Sequence, residues 1–527
     1  GGGYLSSGEQ EEYVKLVKRL TELETQFSKN VNDCNTFIEI TRDELDGLPE
    51  SWFTDDRKLG ENLYKVTLKY PDYMPIMKLC NVRETRQKIS IAYGNRCKEE
   101  NTKIFVEAVK IRYQIAKILG YKNFVDYSTE VKVVKSADNA VTFIENLNEM
   151  FQKVYEKECL EVLRFAKEYE YNKLVGDELY EWDRSYYNRL YKESVTELDM
   201  EELRQYFPLD VVRDGILNIY QRLLGLTFSK IETDNVWHPD VEMFSVKDTN
   251  TEELLGYFFL DMYPRDGKYG HACASDFTHS CDLKKINGTD TRNPCVISMI
   301  CNFPKGECIS FEDVETFFHE FGHVMHEICS KPQLSRFSGF GVEWDFVEAP
   351  SQMLENWCYE SEALKLMSKH VPDDMIEKLQ KSKHVLSSYD NKRQFLFGIF
   401  DLSVHTLTFD NDEDFSPEKH WVETSKRVVN VDPTIQPGGT QARWASFGHL
   451  MGGYEAGYYG YKRAETYSAN MFHRVFKKDC MSVENGMRYR KKLLEPGSTK
   501  DGVELLRDFL GEEPNDKYYL IDQGLSC

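Results

Sequence analysis

Phe317-Phe318-His319-Glu320-Phe321-Gly322-His323 is the stretch from which the fold and chemistry of this 527-residue chain are read. An α-helix turns about 100° per residue, so residues four apart stack on one face. His319 and His323 therefore present two imidazoles side by side, with Glu320 next to them. Two such imidazoles can share one Zn²⁺ at roughly 2.0–2.1 Å and leave the glutamate beside a water. Ser310 and Asp313 give a capping-box-like start upstream, and Val314, Phe317, Phe318 and Phe321 supply an inward face.

A catalytic zinc site needs a third protein ligand and one open position. Glu343, Asp345, Glu348 and Glu355 all qualify chemically. Asp345 and Glu348 are three apart, so a helix lets one bind the metal and the other support it from behind. Pro350 sets a kink or a helix start just after Glu348. Spacing leaves the choice open.

Around the motif, periodicity predicts helices near 9–30, 100–119 and 137–170, with a loop marked by Pro71 and Pro75. Tyr and Trp at 180–191 read as helix packing. Strands are expected at 241–246, 254–263 and 295–300, making a small sheet just before the motif helix. The fold class is mainly α. The change of texture near 235 suggests a helical lobe over 1–235 and a catalytic lobe over 236–527. Glycines 448, 452, 453, 457 and 460 predict a mobile loop offering His449, Tyr454, Tyr458 and Tyr461 as donors. It lacks the G-K-[ST] ending of a phosphate loop.

The chain is 41% hydrophobic and 29% charged, with a net charge of −22. That charge argues against nucleic acid and anionic membrane as partners. Apolar runs are too short for a membrane span. Thirteen cysteines without a C-x-x-C pair suit reduced thiols and a cytoplasmic protein. The sequence opens with Gly-Gly-Gly, with no secretory signal in view.

Several blocks go beyond the motif: His319–His326 reads HEFGHVMH, 345–357 reads DFVEAPSQMLENW, and 263–272 reads YPRDGKYGHA. Further on come ASFGHLMGGY at 445–454, Tyr458-Tyr459-Gly460-Tyr461, and Phe509-Leu510-Gly511. Together these resemble the thimet oligopeptidase/neurolysin family of zinc oligopeptidases over essentially the whole chain. The resemblance implies His319, His323 and Glu348 as ligands of one Zn²⁺ per chain, with Glu320 as general base. It implies His449, Tyr458 and Tyr461 as binders of the substrate carbonyl or transition state, with Tyr454 beside them. Asp345 and Glu355 are expected behind the ligands. The implied fold is two helical lobes around a deep central channel, and the implied protein is a monomeric endopeptidase of short peptides. Such enzymes pair an edge strand with the peptide backbone; here that is 296–302, with Cys301 and Asn302 nearest the scissile bond.

Two departures stand out. The chain starts inside the family's first lobe, and Phe340 and Trp344 bring apolar bulk to the loop after the motif helix. A dipeptidyl carboxypeptidase is the alternative; it needs a cation such as Lys462 or Arg463 for the substrate's C-terminus. A catalytically silent peptide-binding scaffold is the non-enzymatic one.

Overall fold

The computed structural model describes residues 2–169, 178–265, 267–269, 271–283, 292–409 and 415–525. It forms two compact units that alternate along the chain. One comprises Gly1–Val195 with Leu386–Tyr459, the other Thr196–Val385 with Gly460–Cys527.

The first unit is built on long helices whose apolar stripes were legible. Ser7–Asn32 starts at a capping box between Ser6 and Glu9 and buries Leu23 and Phe27. It packs on Lys98–Ile118, and Ala137–Tyr169 packs on Ser387–His405. Three short strands, β1 (Phe37–Thr41), β2 (Lys58–Gly60) and β3 (Leu63–Thr67), form an antiparallel sheet in the order β1-β3-β2. Its core holds Ile40, Val66, Ile76 and Trp182. Pro71 and Pro75 do not mark a loop: both lie within the helix Tyr70–Leu79. Pro71 falls in the first turn, where its missing N–H has no helical acceptor to lose, and the donor absent at Pro75 leaves only the Pro71 carbonyl unbonded.

In the second unit the sheet is larger than expected. β4 (Leu226–Ile231), β5 (Glu242–Asp248), β6 (Leu254–Asp261), β7 (Cys273–Thr278) and β10 (Cys295–Ile300) run in the order β4-β5-β6-β10-β7. A two-stranded piece joins β8 (Cys281–Asp282) to β9 (Arg292–Asn293). β10 is parallel to β6 and antiparallel to β7. The strand expected at the edge is therefore an inner one, and β7 is the edge. β7 escaped the sequence reading because Cys-Ala-Ser-Asp-Phe-Thr is neither alternating nor rich in branched residues.

The motif helix, Phe311–Cys329, lies against β6, β7 and β10. Phe317, Phe318 and Phe321 are completely buried. Phe321 meets Phe258 edge-on at 5.1 Å between ring centres, and Phe317 stacks on Phe303 at 5.8 Å. Each such ring contributes roughly 1.5–3 kcal/mol over an exposed one, so three of them anchor the helix on the side away from His319 and His323.

The second unit begins at Thr196 and not near 235, because the helix Leu209–Leu224 packs on β4 and on Ser361–Leu366 and Val483–Tyr489. A Cβ on Gly215 would stand 2.4 Å from the Leu366 carbonyl oxygen, so only glycine permits that approach. Among the described residues, no helix is long and apolar enough to cross a membrane.

Candidate metal centre

His319 and His323 sit at the middle of the motif helix, with ring centres 5.0 Å apart. Glu348 comes from the next segment, at the N-cap of the helix Ala349–Glu355, whose first turn contains Pro350. The proline thus starts a helix there. Glu348 reaches the histidines because the two helices touch at Gly322: a Cβ there would lie 3.0 Å from Ser351 Cα. Ser351 donates to the Glu348 carboxylate at 3.2 Å and fixes its orientation.

The geometry fits a metal. Glu348 Oε2 lies 3.2 Å from His319 Nε2 and 3.1 Å from His323 Nε2. One ligand atom from each of the three residues falls within 4.8 Å of the others. Donors bound at about 2.1 Å in a tetrahedron sit about 3.4 Å apart, close to these separations. On its far side, His319 Nδ1 is 2.6 Å from Glu355 Oε1. A proton held on Nδ1 by that carboxylate leaves Nε2 as a lone-pair donor.

The electrostatics favour positive charge between these carboxylates, which a proton on His319 or a metal cation at its Nε2 would compete to supply. Burial opposes charge on His319, but its bonds to Glu348 and Glu355 outweigh that and hold its pKa well above the imidazole range. Burial likewise works against ionised Glu348, and the two imidazoles overcome it and keep the carboxylate charged. Glu320, one residue along from His319, has its pKa raised, first by burial, against the pull of His319 and His323. The motif helix packs against β7, and the nearby Ala274 amide of that strand works to lower the Glu320 pKa. Edge strand, base and ligand set therefore converge within one unit.

The remaining candidates separate into groups. Asp345 is completely buried beside the ligand-bearing segment. Cys301 is completely buried; its amide donates to the Asp261 carbonyl at 2.8 Å and its own carbonyl takes the Lys268 ammonium. Asn302 spends its side-chain amide on the carbonyls of Tyr269 and His271, both at 3.0 Å. Neither presents a free strand edge, because β10 is paired on both sides. Phe340 lies against His323 with ring centres 6.1 Å apart, so apolar bulk does reach the ligand. Trp344 is 39% exposed. Lys462 is paired with Glu465.

His449, Tyr454 and Tyr458 belong to the first unit and form one aromatic group: the His449 ring is 5.2 Å from Tyr454 and 5.3 Å from Tyr458. Tyr458 donates to Gln394 at 2.8 Å, and burial pushes its pKa to about 12, so it stays a donor. Tyr461 opens the helix Gly460–Met471 in the second unit, where its carbonyl accepts from Gln352 at 3.5 Å. Of the five glycines here only Gly453 takes positive φ. The segment is held instead by Asp401, which sequence reasoning missed. The amides of Ala456, Gly457 and Tyr458 donate to its buried carboxylate at 2.8, 3.0 and 3.0 Å. His405 Nδ1 lies 2.8 Å from Asp401, and its Nε2 lies 3.0 Å from Arg112, which can only donate. His405 is therefore the neutral Nδ1–H tautomer. An acid and a histidine four apart in the apolar second half of the helix Ser387–His405 were the available signal.

A sequence profile described as Peptidase family M3 matches residues 76–525. "Thimet-like oligopeptidase" of Dictyostelium discoideum is 34% identical, the alignment covering 99% of this chain and 80% of that protein. "Saccharolysin" of Saccharomyces cerevisiae is also 34% identical, covering 99% and 76%. "Oligopeptidase A" of Escherichia coli is 31% identical, covering 97% and 77%. Among solved structures, PZ peptidase A with an inhibitor aligns at a TM-score of 0.56 and 15% identity over 97% of this chain and 76% of that one. That likeness concerns the fold alone.

Proposed function

The chain belongs to peptidase family M3 and is a metallo-oligopeptidase; from that premise we propose that it is a zinc endopeptidase cutting internal bonds of short peptides. We assign His319, His323 and Glu348 to one Zn²⁺ and Glu320 to the general base. The observation that carries this is the convergence of two Nε2 atoms and Glu348 Oε2 on one point, with the Glu320 carboxylate on the same helix. A Zn²⁺ bound there would act as a Lewis acid and make a water acidic near neutral pH.

Glu320 is the group placed to accept a proton from an attacking water and to return it to the leaving amine. Burial raises its proton affinity, against the pull of His319 and His323. The peptide backbone lies along β7, the edge strand, in extended form. We assign Tyr461, in the unit that holds the metal ligands, as a donor to the carbonyl oxygen as it gains charge, and His449, Tyr454 and Tyr458 as substrate binders on the family resemblance alone, while Asp345 and Glu355 support the ligands. The enzyme acts as a monomer in the cytoplasm, where the twelve described cysteines, all unpaired, remain thiols.

Glu320→Gln should lose at least about a thousandfold in kcat/KM on a quenched short peptide at unchanged zinc content. Full retained cleavage would remove Glu320 from the mechanism. Amidating the C-terminus of the test peptide should leave the internal bond cut with kcat retained, whatever change it brings to KM; abolition of cutting would make the enzyme a carboxypeptidase.

A further inference from the structure

The first unit contains a cavity of ≈ 140 Å³ between the helices Ala137–Tyr169, Glu181–Thr196, Ser387–His405 and Pro417–Val429. That is close to the ~150 Å³ of an engineered cavity that accepts one benzene ring. Its walls are aromatic: Tyr155 stacks on Tyr389 with ring centres 6.2 Å apart, and Phe397 lies 6.0 Å from Trp421. Its charges are Arg184, Arg393 and Arg443 against Glu181.

Those charges are not balanced. Glu181 precedes Arg184 by three residues on one helix, the natural spacing for an ion pair, yet it is paired with Arg443. Among the described residues, no carboxylate lies within ion-pair distance of Arg184 or Arg393. The Arg184 guanidinium stands 5.6 Å from the Tyr389 ring centre, and the groups that act on it are the Tyr389 and Tyr155 phenols and the Cys159 thiol, none of them a carboxylate. Arg393 sits 5.7 Å from the Phe397 ring centre. In a chain with 88 acidic and 66 basic residues, carboxylates are the abundant partner. Two arginines kept from them around an apolar cavity make a site that is complete only with an anion from outside. Aromatic walls and a single-ring volume select the anion: a carboxylate next to one apolar group, which a guanidinium binds bidentately.

We propose that this cavity binds the C-terminal residue of a peptide, its side chain between Tyr389 and Trp421 and its free carboxylate on Arg184. The carboxylate follows from the cavity itself; the peptide as its source rests on the oligopeptidase reading.

The test is calorimetry on the native enzyme with N-acetyl-phenylalanine and its amide, and hydrogen exchange to locate the ligand. The acid should bind at least tenfold more tightly than the amide. Protection should fall on 181–195 and 387–405, and Arg184→Gln should abolish the acid's advantage, with Arg184→Lys restoring part of it. Equal binding of acid and amide, or protection only at 311–329, where a metal would hold the carboxylate, overturns the proposal. If Arg184→Gln does not fold, the acid–amide contrast and the exchange map decide alone. 3-Phenylpropionate binding as tightly as a free-acid tetrapeptide ending in Phe would overturn the peptide source and leave a small-acid site. Each readout is binding, so a loss of turnover through Glu320 and a failure here are separate results.

Discussion

Glu355 does not reach the ligand cluster itself; it holds His319 Nδ1 at 2.6 Å. Partners behind a metal-binding histidine fix its tautomer and ring plane, and their loss typically costs 10–100-fold in metal affinity. Glu355→Ala should therefore weaken zinc by about 10–100-fold in competition with a chelator, while the fold measured by circular dichroism stays the same. An unchanged affinity would reduce Glu355 to a packing residue. At this scale His319, Glu320 and His323 were readable because i and i+4 share a helical face whatever surrounds them. Glu348 was not fixed by spacing, since its place depends on how closely Gly322 lets a second helix approach. That distance is tertiary, and the letter Gly alone does not encode it.

Elements show the same division between local and distant causes. The helices Ser7–Asn32, Lys98–Ile118 and Ala137–Tyr169 were legible because each carries its own apolar stripe. β7 draws its pairing from β10, which follows β8 and β9 in the chain. The Gly-Tyr segment looked mobile from its glycines, but Asp401 grips three consecutive amides. Asparagine has one acceptor oxygen and turns an N–H₂ toward the other donors, so Asp401→Asn should break at least one charged hydrogen bond, worth about 1.5–3 kcal/mol. The expected result is a kcat/KM lower by roughly 10–100-fold at unchanged zinc content, with faster proteolysis within 447–459. Intact activity would detach this segment from catalysis.

The helix Ser387–His405 has no cap of its own at Leu386, and Glu158 supplies one from the neighbouring helix, accepting from Tyr389 N at 2.8 Å. Burial wins over those amides and raises the Glu158 pKa to about 7. The folded chain thus keeps a proton that the unfolded chain releases near the ordinary carboxylate pKa of about 4.3. Between those values the folded state binds more protons, so stability falls as pH rises, and the full cost applies above about pH 7. Glu158→Gln should therefore gain about 1–3 kcal/mol relative to wild type between pH 4.5 and pH 8 in urea denaturation. A flat difference across that range would show that Glu158 titrates normally.

For the whole molecule, one cut in the sequence could not represent a chain that moves between units at 195/196, 385/386 and 459/460. Composition changes near 235 because β-structure begins to dominate there, whereas the compact units follow packing. The ligand set nevertheless lies wholly inside one unit, and this has a thermodynamic consequence. A ligand that binds only the folded state stabilises it by RT ln(1 + [L]/Kd), about 4 kcal/mol at a thousandfold excess over Kd. That energy enters through the residues that hold the metal, so exchange should slow most where opening would release it. Adding Zn²⁺ to chelator-treated protein should protect Phe311–Cys329 and Ala349–Glu355 most strongly, with Ala137–Tyr169 and Pro417–Val429 changing least. N-acetyl-phenylalanine should give the reverse map, centred on 181–195 and 387–405. Two ligands with separate footprints would mark two binding sites on one chain; coincident footprints would leave only the metal centre.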